Sequence, residues 1–262
     1  MTGRADQIEK GARPGEAWNA LLELTLALAG RPMPGGESPG WRSKRSAFWG
    51  GTFDPVHFGH LRTAQELLYG LALAEIRFVP CWLPPHRPAP VAPESLRLRM
   101  LEAAVDGVPG LKVDDRELNR AGPSYMVDTL ISLRADLGSQ PLCLILGFDA
   151  FLGLPTWHRW HEIPDLAHLV VARRPGFTTT ADGELGDLLR ARVSQDSTDL
   201  HKVSAGRIVI RDVTRLEISA SAIRSQVAVG GDPRFLLPDA VRDLIIENRI
   251  YENQGEVRTS AQ

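Results

Sequence analysis

The sequence predicts an α/β fold with a doubly wound, mostly parallel sheet and helices on both of its faces. Between residues 46 and 252, short β-branched and aromatic runs alternate with segments of helical periodicity, as in repeated strand–helix units. The runs at residues 142–146 and 168–172 are almost wholly apolar, which is typical of strands covered by helices on both faces. With 262 residues, 43% of them apolar, the chain can bury one large core or two smaller ones.

The first half of the predicted domain begins with a strand at residues 47–49, where Ala, Phe and Trp follow one another. A helix is expected at residues 60–73, because apolar residues recur there every three or four positions. The face that they form consists of Leu61, Ala64, Leu68 and Leu71. A strand at residues 76–79, a helix at residues 94–105 and a short strand at residues 111–113 follow.

The second half continues the alternation. A helix is expected at residues 124–137, with an apolar face formed by Met126, Leu130, Leu133 and Leu137. The two apolar strands follow it, and a weakly patterned polar region at residues 184–203 predicts a surface helix and a loop. A strand at residues 207–213 precedes the last helix, at residues 239–247, which Pro238 opens. Tyr251 is expected to close the domain.

The two ends of the chain differ from this domain. An apolar run at residues 17–29 is followed by a stretch rich in Gly, Pro and Ser at residues 30–40, so we expect residues 1–45 to form a partly flexible extension with one short helix. The run is shorter than the roughly 18 residues of a transmembrane helix, and it contains Glu23. A flexible tail is expected at residues 253–262.

Charge and cysteine content restrict the class of protein. Lys and Arg number 30 against 32 Asp and Glu, so the net charge of −2 gives no general attraction to nucleic acid or to an anionic membrane. Cys81 and Cys143 lie in apolar surroundings, which is typical of reduced, structural thiols. We therefore expect a cytoplasmic protein with small-molecule partners, no nucleic acid and no membrane; the sequence leaves a homo-oligomer open.

The segment at residues 50–60, Gly-Gly-Thr-Phe-Asp-Pro-Val-His-Phe-Gly-His, joins the first strand to the first helix. In an open parallel sheet, ligands bind outside the carboxyl ends of the strands, and a helix N-terminus attracts anions. His57 and His60 are three residues apart, so both rings can face one point, and Gly59 leaves room for a nucleobase or a phosphate chain. Such a histidine pair also occurs in zinc sites, but no third ligand cluster is evident nearby.

A second candidate anion site lies at residues 218–224, Ile-Ser-Ala-Ser-Ala-Ile-Arg. Ser219 is expected to cap a helix, so that Ser221 and the amides of the first turn can donate hydrogen bonds to phosphate oxygens. Arg224 lies one turn further along and offers a charged fork. A capped helix with a solvent-facing arginine is the alternative interpretation of this segment.

Several motifs occur together in one order. They are Gly-Gly-Thr-Phe-Asp-Pro with H-x-G-H at residues 50–60, Leu-Pro-Pro-His-Arg at 83–87, Pro-Ser-Tyr at 123–125, Ile-Leu-Gly-Phe-Asp at 145–149, Leu-Pro-Thr-Trp-His at 154–158, Ala-Arg-Arg-Pro-Gly at 172–176, Ile-Ser-x-Ser-x-Ile-Arg at 218–224 and Leu-Leu-Pro at 236–238. With these motifs, the chain closely resembles the H-x-G-H nucleotidyltransferases, specifically the bacterial nicotinate-nucleotide adenylyltransferase family.

The resemblance implies a Rossmann-like nucleotidyltransferase fold at residues 46–252. It also implies an enzyme of NAD biosynthesis that transfers the AMP part of ATP to nicotinate mononucleotide, giving deamido-NAD and pyrophosphate. Magnesium would accompany the ATP as cofactor, without dedicated metal ligands from the protein. The catalytic residues that it implies are His57, His60 and Arg224. ATP-binding residues would be Gly50, Gly51, Thr52, Phe53, Gly59, Ser219 and Ser221. Mononucleotide-binding residues would be His86, Arg87, Tyr125, Met126, Asp149, Trp157, His158 and Arg174.

This chain departs from the family pattern at three positions. Met126 stands where the family usually has Thr, so a hydroxyl near the nicotinate carboxylate is missing. Cys81 occupies a position where the family tends to have Asn, and Ser221 one where Thr is usual. The alternatives are therefore an adenylyltransferase for nicotinamide mononucleotide or another phosphate acceptor such as phosphopantetheine, or a non-catalytic nucleotide-binding module.

Overall fold

Six parallel strands form one sheet in the order β3-β2-β1-β4-β5-β6. The computed structural model describes residues 45–85, 88–173, 181–214 and 216–252. The strands are β1 (Ser46–Gly51), β2 (Glu75–Pro80), β3 (Leu111–Val113), β4 (Leu142–Gly147), β5 (His168–Arg173) and β6 (Ile208–Asp212). β1 pairs with both β2 and β4, so the chain winds outward from the middle of the sheet in both directions. The doubly wound sheet predicted from the sequence is confirmed.

Helices follow most of the strands. They are α1 (Phe58–Gly70), α2 (Glu94–Val105), α3 (Met126–Leu137), α4 (Phe148–Leu152), α5 (Ile163–Leu166), α6 (Gly183–Arg192), α7 (Ala220–Ala228) and α8 (Asp239–Glu247). Short 3-10 turns lie at Leu154–Thr156, Trp160–Glu162 and Ser197–His201. The predicted surface helix and loop at residues 184–203 correspond to α6 and the last of these turns.

The core lies in two layers, one on each face of the sheet. Successive residues of a strand point to opposite faces. Ala47 accordingly packs in one layer with residues of α1, α2, α7 and α8, whereas Phe48 packs in the other with residues of α3, α5 and α6. Both side chains are at most 1% exposed. This two-sided burial explains why the central strands are almost continuously apolar.

The predicted bounds of α2, α8 and β3 agree with the structure, and α1 differs most. It begins two residues earlier than predicted, because His57 is extended and its carbonyl already accepts hydrogen bonds from the amides of His60 and Leu61. It ends at Gly70, and Ala72 then adopts a left-handed conformation with φ of 49°. Leu61, predicted on the apolar face, is only partly buried.

The predicted extension at residues 1–45, apart from Arg45, and the tail at residues 253–262 lie outside the described residues, so these domain bounds stay predictions. Tyr251 is 7% exposed and joins the core, as expected of the residue that closes the domain. In the described part of the chain, no helix is long and apolar enough to cross a membrane.

His168, at the start of β5, makes stability depend on pH. It is fully buried; its Nε2 lies 2.9 Å from the Val203 carbonyl oxygen, and its Nδ1 accepts from the Arg207 amide at 3.0 Å. Burial lowers the pKa of His168 from 6.5 to about 4. The unfolded chain therefore binds the proton more readily, and we expect the free energy of unfolding to fall by about 3 kcal/mol between pH 6.5 and 4 through this residue. Denaturant unfolding at several pH values measures the slope.

In the same experiment, His168→Gln should flatten this dependence, because the titrating ring is gone. His161, which is exposed, offers the matched control His161→Gln, whose slope should equal that of the wild type. An unchanged slope in His168→Gln would contradict the assignment.

Candidate active site

A crevice opens at the carboxyl ends of the strands, between β1 and β4. At this point the order in which successive strands are added to the sheet changes direction, from β1-β2-β3 on one side to β4-β5-β6 on the other. Ligands of doubly wound folds bind at this point. Two adjoining cavities occupy it, of about 560 and 340 Å³. Trp49, Thr52 and Gly147 border both of them. The larger is called the phosphate cavity below, and the smaller the acceptor cavity.

The phosphate cavity brings together the two segments singled out in the sequence. Its walls include Thr52, Phe53, His57, Gly59, His60, Ser219, Ser221 and Arg224. The ring centroids of His57 and His60 are 3.9 Å apart, so the two rings pack against each other and still border the cavity. Both histidines and the serine–arginine turn therefore border one cavity, and their roles towards a ligand stay predictions.

Aromatic rings surround His60. The ring centroids of Trp49 and Phe53 lie 5.8 and 5.2 Å from that of His60, both in edge-on geometry. Its Nδ1 is buried and makes no hydrogen bond within the described part of the chain. Burial, and secondly the neighbouring His57, lower the pKa of His60 well below 6.5. The ring is consequently neutral near pH 7 in the free protein, and the negative charge of a bound phosphate would favour its protonated form.

Ser219 caps α7, as predicted. Its Oγ accepts a hydrogen bond from the Ala222 amide at 3.2 Å and lies 3.2 Å from the Ser221 Oγ. Both serines are exposed, so they can reach a ligand. Arg224, partly buried one turn later, donates from Nη1 to the Asp54 carbonyl oxygen at 2.7 Å. The arginine is thus anchored beside the histidine loop, and the alternative of a purely solvent-facing side chain does not fit this contact.

The acceptor cavity gathers the other predicted group. It is bordered by Tyr125, Met126, Asp149, Trp157 and His158. The rings of Tyr125 and His158 lie 4.3 Å apart, centroid to centroid. Trp157 is partly exposed and borders the cavity, so it is available as a platform for a flat ring.

Gly50 and Gly51 border the acceptor cavity, next to Thr52, which borders both cavities. Their assignment to ATP stays a prediction. A Cβ at Gly50 would collide with the Met126 methyl group. The sequence could not show this, because the contact joins β1 to the start of α3 across the sheet.

Three predicted residues, His86, Arg87 and Arg174, lie outside the described residues. Their roles stay predictions. The neighbouring Arg173 is described, and its guanidinium pairs with Asp212 on β6, with Nε 2.7 Å from Oδ1.

Two buried charged residues at or behind the site, Arg97 and Glu117, were missed by sequence reasoning. Arg97 of α2 is 1% exposed and donates to the carbonyl oxygens of Thr52, Cys81 and Ala92. Glu117 is 2% exposed, accepts from the Thr129 hydroxyl and borders the acceptor cavity, and burial raises its pKa. In the sequence, each of the two is simply a charged residue in a helical or loop segment, and such residues are normally exposed. The roles of these side chains depend on contacts far apart in the chain.

Comparison with known proteins identifies the family. Residues 48–226 match the family model described as cytidylyltransferase-like. A probable nicotinate-nucleotide adenylyltransferase of Methylococcus capsulatus is 50% identical over 204 residues, which cover 78% of this chain and 97% of that protein. The protein of the same name from Aeromonas hydrophila is 47% identical over 202 residues, which cover 77% and 94%. The chain belongs to the nicotinate-nucleotide adenylyltransferase family.

Solved structures agree with the fold of this family. A Plasmodium falciparum nicotinic acid mononucleotide adenylyltransferase complexed with NaAD superimposes with a TM-score of 0.61 at 15% identity, over 79% of this chain and 97% of that one. The Rossmann-like nucleotidyltransferase fold expected from the sequence is therefore confirmed. As a family member, the chain is an adenylyltransferase, so it belongs to the nucleotidyltransferases.

Gly59 also has a packing role, which the sequence did not show. A Cβ at this position would lie 2.9 Å from Cε1 and Nδ1 of the His57 ring and 3.4 Å from the Ile218 carbonyl oxygen. The missing side chain thus makes room for a histidine ring, and the expectation that it also leaves room for a ligand stays a prediction.

We expect Gly59→Ala to displace the His57 ring and to lower kcat/KM for ATP by about tenfold, because misplaced catalytic groups lose rate steeply. Steady-state kinetics measure the effect. Gly70→Ala is the matched control in the same helix, since nothing lies within 4 Å of its added Cβ, and it should leave kcat/KM unchanged. Equal kinetics in the two variants would contradict this packing argument.

Proposed function

We propose that this chain transfers the adenylyl group of ATP to nicotinate mononucleotide, with release of pyrophosphate and formation of deamido-NAD. The observation that carries the proposal is the pair of adjoining cavities at the strand ends, which meet at Trp49, Thr52 and Gly147. One cavity has the cationic and hydroxyl groups that suit a triphosphate, and the other has the aromatic walls that suit a pyridine ring. The relatives at 47–50% identity bear the name of this activity.

The reaction joins two phosphates. An oxygen of the mononucleotide phosphate attacks the α-phosphorus of ATP, the bond from that phosphorus to the bridging oxygen breaks, and the electron pair leaves with pyrophosphate. The attacking oxygen is already anionic at neutral pH, so no strong general base is needed. Catalysis then depends on positioning and on neutralising charge.

We propose that the charges of the reaction develop beside the donors that line the phosphate cavity. We assign the charge that grows on the α-phosphoryl group to His60, and that of the β- and γ-phosphates to Arg224, Ser219 and Ser221. In this assignment, none of these residues has to act as an acid or as a metal ligand. His57 packs against His60 and orients it.

In this proposal, magnesium binds together with ATP, as its complex. In the described ranges, no group of three or more His, Cys, Asp or Glu side chains is arranged to hold a metal ion. Magnesium commonly keeps several waters and binds through substrate phosphates, so the proposal gives it no dedicated protein ligands. When bound, it would withdraw negative charge from the phosphate oxygens.

Trp157 is assigned to the pyridine ring of the acceptor. We expect Trp157→Ala to raise KM for nicotinate mononucleotide by about tenfold, because stacking of a base on an aromatic ring is worth about 1–3 kcal/mol. KM for ATP should stay within twofold of the wild type and serves as the internal control. A variant in which both KM values rise together would contradict this assignment.

Because of Met126, the identity of the acceptor substrate is the part of the proposal that most needs a test. It lies at the first position of α3, beside Gly50, where it brings a methyl group and no hydroxyl to the acceptor cavity. Pyrophosphate release should be measured with ATP and, in turn, nicotinate mononucleotide, nicotinamide mononucleotide and phosphopantetheine.

A higher kcat/KM for the nicotinate compound supports the proposal. A preference for the amide would replace the substrate, and ATP binding without pyrophosphate release from any acceptor would favour a non-catalytic nucleotide-binding module. We also propose that the protein is cytoplasmic and that its partners are small molecules and not nucleic acid. The proposal does not specify the oligomeric state.

A further inference from the structure

A buried carboxylate lies directly behind the histidine loop. Asp54 follows β1 and is 4% exposed. Its Oδ2 accepts from the Val91 amide at 2.7 Å, and its Oδ1 accepts from the Ala92 amide at 3.1 Å and from the Tyr251 hydroxyl at 2.6 Å. One side chain thus joins three segments that are far apart in the sequence.

Tyr251 comes to this carboxylate from the end of the domain, 197 residues further along the chain. It is 7% exposed and adopts φ of 69°, in the left-handed region that non-glycine residues usually avoid. Such conformations persist only where surrounding contacts hold them, and they concentrate at functional sites. Burial and the charge of Asp54 raise the pKa of the Tyr251 hydroxyl, which therefore stays a donor at all ordinary pH values.

The main chain of Asp54 faces the catalytic side. Its carbonyl oxygen accepts from Arg224 Nη1 at 2.7 Å, and the same nitrogen lies 4.0 Å from Oδ2. Val91, whose amide the carboxylate holds, is the last residue of the 88–91 segment that forms a wall of the phosphate cavity. A shift of Asp54 would consequently move both the arginine and this wall.

We propose that Tyr251 is a positioning residue for ATP, which acts through Asp54 to fix Arg224 and the 88–91 wall of the phosphate cavity. The inference rests on the proposed function, because it takes ATP as the occupant of that cavity. Tyr251 itself does not border the cavity, so it acts without touching the substrate.

The geometry distinguishes this role from general packing. Tyr251→Phe keeps the ring and removes only the oxygen, so the apolar contacts of Tyr251 remain. The carboxylate keeps two amide donors but loses the hydroxyl, and a hydrogen bond to a charged group is worth about 1.5–3 kcal/mol. Oδ1 then keeps only the Ala92 amide as a donor, so the carboxylate is held less firmly beside Arg224, whose Nη1 lies 4.0 Å from Oδ2.

The test compares ATP binding by the full chain and by Tyr251→Phe, measured by calorimetry with ATP and magnesium and without acceptor. We expect the dissociation constant for ATP to rise about tenfold. At saturating ATP, kcat/KM for the acceptor should change less than twofold. Tyr69 is exposed on α1, and Tyr69→Phe provides the matched control with wild-type ATP affinity.

A double-mutant cycle tests the route through Asp54. In an Asp54→Asn background, the Tyr251→Phe change should add less than twofold, because the charged acceptor is gone. If Asp54→Asn does not fold, the single variant decides. Unchanged ATP affinity in Tyr251→Phe, even with a lower melting temperature, would overturn the inference and leave the proposed function standing.

Wild-type protein that binds ATP but releases no pyrophosphate with any acceptor would instead overturn the proposed function, while the comparison of ATP affinities would still decide the role of Tyr251. A wild-type chain that does not bind ATP would overturn both.

Discussion

His60→Ala is expected to lower kcat by two to three orders of magnitude, about the effect of losing one preorganised group that stabilises transition-state charge. His60 is enclosed by Trp49, Phe53 and His57, so the ring is held in place before the substrate arrives. In surroundings with few water molecules, its electrostatic effect on a phosphate is larger than in solution. Single-turnover measurement of pyrophosphate release isolates the chemical step.

The effect of His60→Ala on ATP affinity should be much smaller than its effect on kcat, because the charge that the ring stabilises grows mainly in the transition state. His161, exposed in a 3-10 turn beside Glu184, offers the matched control His161→Ala, which should retain full activity. Turnover of His60→Ala within tenfold of the wild type would refute the role assigned to this ring.

Arg224→Ala is expected to lower kcat/KM for ATP by about a hundredfold, because hydrogen bonds to charged groups are worth about 1.5–3 kcal/mol each. The guanidinium lies at the cavity wall with Nη1 bonded to the Asp54 carbonyl oxygen, which leaves other donors of the fork for phosphate oxygens. Arg224→Lys should recover only part of the loss, because lysine keeps the charge but cannot form the fork.

The experiment on Arg224 needs a control for charge alone. Arg190→Ala removes an exposed arginine of α6, which pairs with Asp187, and should leave kcat/KM for ATP within twofold of the wild type. A fall in kcat/KM in Arg190→Ala as large as that in Arg224→Ala would show a general charge effect. A wild-type KM and kcat in Arg224→Ala would remove this residue from the proposed site.

Local signals in the sequence predicted most of the secondary structure. The period of apolar residues located most of the longer helices, and the bounds of α2 and α8 agree with the structure; Pro238 marked where α8 begins. The short helices α4 and α5 were not predicted. α1 was misplaced at both ends. Its start depends on the extended backbone of His57, and no pattern of apolar residues reports that conformation.

Part of the lining of the phosphate cavity was also predictable, since the residues proposed for it lie in two short motifs, each next to a helix N-terminus, whereas the wall at residues 88–91 was not predicted. The contacts that hold those motifs together were not predicted either. Asp54 accepts from residues 37 and 197 positions away, and Arg224 reaches a carbonyl oxygen 170 positions away. Nothing in a local window indicates which distant donor a buried carboxylate will find.

By itself, the sequence determined the alternation of strands and helices, the burial of both sheet faces and the identity of the groups available for phosphate. These properties depend on spacings of a few residues, which periodicity and turn chemistry report directly. Only the tertiary structure decided that Gly50 belongs with Met126 in the acceptor cavity and that Gly59 makes room for His57. The first assignment depends on the packing of α3 beside β1, which brings a residue remote in the chain against Gly50. The second depends on the position of the nearby His57 ring and of the Ile218 carbonyl oxygen, because excluded volume is decided by the packed neighbours and not by the spacing of apolar residues.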